Sequence, residues 1–145
     1  MNIRITNSLR KRRLPTAVLG IKLGKLLRSL GLPDAELSVL FIGDRAMRTL
    51  NHAWRNKDRT TDVLSFPLRG GRFPHIQPDV LGDIVISVPV AARQAAEAGH
   101  SLLIELEQLL VHGLVHLLGY DHEAGLREAR CMERKERQLL KRMSA

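Results

Sequence analysis

Hydrophobic and polar positions alternate at the start of this chain. Ile3 and Ile5 are separated by polar residues, which predicts a strand over Asn2 to Thr6. Basic residues Arg10 to Arg13 then form a loop, and helical spacing takes over. Leu19, Leu23, Leu26 and Leu30 make one apolar stripe in a helix that starts near Pro15 and ends at Gly31 before Pro33. Glu36 to Phe41 reads as a second strand. Asp44 is the expected N-cap of a helix that buries Met47, Leu50 and Trp54.

Val63 to Phe66 is a short third strand closed by Pro67, and Val80 to Ile86 a fourth, interrupted by Asp83. Between them, Gly70, Gly71, Pro74 and Pro78 mark the segment expected to be most mobile. Ser87 opens an alanine-rich helix that stops near Gly99. Ser101 opens another, which Leu102, Leu106, Leu109 and Leu110 bury in the core. A charged helix from Glu123 to Met143 closes the chain on a narrow stripe of Ala129, Met132 and Leu139. These elements predict a single-domain α/β (α+β) fold over residues 1–145, with a small four-stranded mixed sheet and about five helices. The third and fourth strands have no helix between them, so the sheet is not purely parallel.

Composition sharpens this picture. With 44% apolar residues but only 3% aromatic, the core is aliphatic. Cys131 is the single cysteine and has no internal disulfide partner, which places the chain in a reducing, cytoplasmic compartment. No run approaches the ~18 apolar residues of a membrane span. The bases Arg4, Arg10 to Arg13, Lys22, Lys25 and Arg28 precede the first acid, Asp34, a bias that transit peptides share. The strand-like alternation and the helix punctuation assign this region to the fold instead. A net charge of +8 and a pI near 10.5 suit either a solubilising surface or a polyanionic partner.

The chemistry concentrates in His112-Gly113-Leu114-Val115-His116-Leu117-Leu118-Gly119-Tyr120-Asp121-His122. His112 and His116, four apart, share a helix face with Cβ atoms roughly 5–6 Å apart, so both can ligate one metal. Gly119 can end the helix in a left-handed turn that brings back His122. Three neutral imidazoles leave one position of Zn²⁺ open, as in catalytic sites. The spacing also matches zinc peptidases, but their general base follows the first histidine, and Gly113 stands there. Asp121 is a candidate to orient a ligand, His52 and His75 are weaker candidates for proton transfer, and Glu105 lies too far along the helix.

The histidine segment, together with RNKDRTTDVLSFP from Arg55 to Pro67 and LGDIVIS from Leu81 to Ser87, resembles the YbeY family of bacterial rRNA-maturation endoribonucleases. The resemblance runs through nearly the whole chain. It implies one zinc ion on His112, His116 and His122, a basic groove beside it, and a functional arginine at Arg55. Arg55 and His112 are then the residues expected to carry the chemistry. The resemblance also implies cleavage of single-stranded RNA, maturation of small-subunit ribosomal RNA and a part in ribosome quality control. Implied partners are the small ribosomal subunit, a ribosomal protein and the GTPase Era. The competing reading for Arg55 is an ion pair with Asp58. The competing function is a non-catalytic assembly factor with a structural zinc and a basic docking face.

Overall fold

A computed structural model describes residues 1–68 and 79–144, with the side chain of His122 outside that description. The elements follow in the order β1 (Asn2–Asn7), α1 (Thr16–Ser29), β2 (Glu36–Ile42), α2 (Asp44–Arg55), β3 (Val63–Pro67), β4 (Val80–Ser87), α3 (Val88–Ala98), α4 (Leu102–Leu117) and α5 (Leu126–Ser144). A short 3-10 turn, His122–Ala124, joins α4 to α5. The expected segment of glycines and prolines, with His75, lies outside the described residues.

The sheet has the order β1-β2-β4-β3, parallel except for the antiparallel β3–β4 pair. That pairing makes β3 an edge strand. Alternation along β2 and β4 divides the apolar side chains between two faces. Val39, Phe41, Ile84 and Ile86 point into the main core, filled by α1, α3, α4 and α5. Leu40, Ile42 and Val85 point the other way, where Met47 of α2 and Leu64 of β3 complete a smaller cluster. Asp83, the interruption in β4, is exposed.

Ser87 caps α3 by accepting from the Val90 amide (3.4 Å), and Ser101 caps α4 by accepting from Ile104 (3.2 Å). The closing helix begins at Leu126 rather than Glu123, which belongs to the 3-10 turn, and three further details depart from the sequence reading. Gly43, not Asp44, occupies the cap of α2. Asp44 is the first helical residue, where its carboxylate meets Arg93 (3.0 Å) and accepts from Ser87 Oγ (3.1 Å). In α1, Leu27 is buried and Leu30, the C-cap beyond the last helical residue, is only half-buried. Trp54 is not buried with Met47 but 69% exposed. The smaller cluster ends at Leu50 and Phe66, so the last turn of α2 has no core beneath it.

Candidate active site

The main core positions α4 so that its histidines surface beside β3. Gly113 is the point of closest approach: a Cβ there would sit 2.9 Å from Ile84 Cγ2. A larger residue at 113 has to displace the Ile84 side chain, which disfavours the glutamate of a zinc peptidase at this position. Ser65 Oγ of β3 reaches the Gly113 carbonyl (3.4 Å) and ties the edge strand to the same turn.

On the opposite side of that turn the rings of His112 and His116 face each other, with centroids 4.8 Å apart and planes at 80°. His112 Nδ1 donates to Glu136 Oε1 of α5 (2.7 Å). This bond fixes the tautomer and leaves Nε2 as the ring nitrogen suited to a metal. It also raises the His112 pKa above the ordinary imidazole value. The hydrogen bond to Glu136 is the main cause, burial opposes it, and the charges of Glu136 and Asp62 add to it.

Helix α4 ends at Leu117, and Gly119 takes φ +102°, the turn expected of a glycine here. Asp121 Oδ1 accepts from the Glu123 amide (2.9 Å), so Asp121 caps the 3-10 turn that His122 opens. The backbone therefore turns directly after the histidine pair. Among the described residues, no three of His, Cys, Asp or Glu gather as a metal site, and the expected third ligand is the undescribed His122 side chain.

Arg55 ends α2, and Asn56 follows in the left-handed conformation (φ 56°). The buried Asn51 donates from Nδ2 to the Arg59 carbonyl (2.9 Å), clamping the loop that leads to β3. The alternative partner of Arg55 is taken: Asp58 accepts from Arg48 Nε (2.8 Å), and this pair lowers the Asp58 pKa. Arg55 lines a cleft of about 500 Å³ that His112, His116, Asp62, Ser65 and Asp121 also line. Two sequence-distant groups, the arginine and the histidine pair, thus line one cleft.

His52 is exposed on α2 and does not line this cleft, and Glu105 binds His100 (2.8 Å) near the far end of α4. Sequence reasoning missed Glu136, Asn51 and the role of Asp62. Glu136 lies 24 residues beyond its partner on a different helix, and only packing of α5 on α4 reveals it.

The family model described as Endoribonuclease YbeY matches residues 5–144. The chain belongs to the YbeY family. A Geobacter sulfurreducens protein named Endoribonuclease YbeY is 45% identical over 140 residues, 96% of this chain and 93% of the relative. An Aquifex aeolicus protein of the same name is 49% identical over 118 residues, 81% of this chain and 77% of the relative. The solution structure of a Thermotoga maritima protein superposes with a TM-score of 0.69 at 28% identity, covering 97% of this chain and 88% of that one. The α/β fold with a mixed four-stranded sheet is common to this YbeY member and that structure. Among the described residues of this YbeY member, no helix is long and apolar enough to cross a membrane.

Proposed function

We propose that this chain is a zinc-dependent endoribonuclease that cuts single-stranded RNA in the cytoplasm, during 3′-end maturation and quality control of small-subunit ribosomal RNA. One observation carries the reading: an oriented histidine pair and Arg55 line a single cleft. Family membership supports the RNA substrate. The donor set suits the metal, since two imidazoles adjoin with ring centroids 4.8 Å apart and one has a carboxylate behind it.

His112, His116 and His122 would hold the ion, which when bound supplies Lewis-acid chemistry at a phosphoryl oxygen and a more acidic water. The chain's own groups do the rest. Three neutral ligands leave the site cationic, which suits an anionic phosphodiester better than a peptide. Arg55, a planar fork, holds a non-bridging phosphate oxygen and stabilises charge that develops there. Glu136 keeps His112 in one tautomer. Gly113 packs against Ile84 of the sheet and supplies no carboxylate where a peptidase has its glutamate.

A cationic stripe supports a polyanionic partner. Arg127, Arg130, Arg134, Arg137 and Lys141 recur every three or four residues along α5, and all are exposed. The small ribosomal subunit, one of its proteins and the GTPase Era are the partners proposed on the family resemblance. Metal-depleted protein should lose cleavage of a single-stranded RNA and recover it with Zn²⁺. Cleavage that survives both chelation and His116→Ala overturns the proposal. If Arg55→Ala leaves ribosomal RNA maturation intact while metal removal unfolds the protein, the chain is instead an assembly factor with a structural zinc.

A further inference from the structure

Trp54 is the single tryptophan of a chain poor in aromatics, and it stands 69% exposed at the end of α2. Leaving so large an apolar ring in water forgoes the burial that drives most tryptophans into a core. Its indole is nevertheless held: it meets Phe66 of β3 edge-on, with centroids 5.7 Å apart and planes at 68°. Trp54 and Phe66 border a groove of about 610 Å³ whose walls include Leu40, Leu50 and Leu68.

This groove and the histidine cleft adjoin along the edge strand β3. Ser65 and Pro67 line both. Trp54 and Arg55 are consecutive, with Cα atoms about 3.8 Å apart, and they face the groove and the cleft respectively. A strand whose phosphate rests on Arg55 therefore has an attached base within reach of the indole. Unpaired bases are recognised by stacking on aromatic rings, a contact every base can make.

We infer that Trp54 is a stacking platform for a nucleobase of the RNA strand whose backbone passes Arg55. The inference rests on the endoribonuclease reading and adds the means by which a single strand is distinguished from a duplex, whose bases are already stacked on each other. Phe66 braces the platform, and the leucine walls suit the flat, apolar faces of a base.

Because Trp54 is the sole tryptophan, its emission reports this site alone. The wild-type protein is titrated with a single-stranded oligoribonucleotide blocked by 2′-O-methyl groups, and with the same strand made abasic. Binding is followed in parallel by the anisotropy of a label on the strand. Emission should be quenched along the binding curve of the base-bearing strand, and much less by the abasic one. Trp54→Ala should weaken binding about tenfold or more, while Trp54→Phe retains most of it. If the protein binds and cleaves RNA but Trp54 emission does not respond, the inference is overturned and the nuclease reading stands. Equal quenching by the abasic strand overturns it too. A groove that takes an apolar protein segment instead also leaves emission indifferent to RNA. If no RNA is bound or cut, both readings fall together.

Discussion

Glu136 Oε1 lies 2.7 Å from His112 Nδ1, so α5 sets the orientation of a ring carried by α4. A carboxylate in this position makes the imidazole a better ligand and removes its rotational freedom. Glu136→Gln should therefore lower zinc affinity 10- to 100-fold, measured by competition with a chromophoric chelator. Because the Glu136 side chain is about a quarter exposed, the substitution should leave the fold intact by circular dichroism. Unchanged affinity would show that the contact only fastens α5.

The same pair gives the metal-free protein a pH signature. The folded-state pKa of His112 is raised, chiefly by the hydrogen bond to Glu136. The stability it contributes is fully present below the unfolded value of about 6.5 and is lost as pH rises through the higher folded value. Metal-free wild type should thus gain on Glu136→Gln in thermal stability as pH falls through this range. Zinc should bind more weakly over the same interval, since a proton competes for the ring. A stability gap between the two proteins that is flat with pH would contradict the assignment.

Gly113 lies against Ile84, with room for a Cβ only at 2.9 Å. Alanine at 113 gains up to ~1 kcal/mol of helix propensity but overpacks the helix-sheet contact by ~1–3 kcal/mol. Gly113→Ala should be destabilising by about 1 kcal/mol in urea denaturation. Gly113→Glu should fail to fold stably and acquire no peptidase activity. A stabilised alanine variant would mean that Ile84 yields freely.

Arg55 is exposed at a helix end, so its removal should spare folding and strike the chemistry. Arg55→Ala should reduce RNA cleavage about 10²- to 10³-fold with the melting temperature unchanged. Arg48→Ala, which removes the partner of Asp58 outside the cleft, serves as a control and should cleave at nearly the wild-type rate. Equal effects of the two variants would remove the special role of Arg55.

The stripe on α5 can be tested by salt. If Arg130 and Arg134 contact phosphates, Arg130→Gln and Arg134→Gln should each reduce the slope of log affinity against log salt by about 1. RNA titrations at several salt concentrations read this directly. An unchanged slope would assign these residues to a solubilising surface.

Local signals determined much of this protein from the sequence. Strand alternation, the serine caps at Ser87 and Ser101, and the helical spacing of His112 and His116 depend on neighbours a few residues away, and each was legible. So was the antiparallel β3–β4 pair, because a connection without a helix permits little else. Tertiary structure alone decided what depends on distant packing. The contact of Glu136 with His112, the clamp from Asn51 to Arg59, and the proximity of Arg55 to the histidine cleft join residues on separate elements. Trp54 shows the limit most clearly. Helical periodicity placed it with Met47 and Leu50, but burial needs a surface to pack against, and the small core beneath α2 stops one turn short of it.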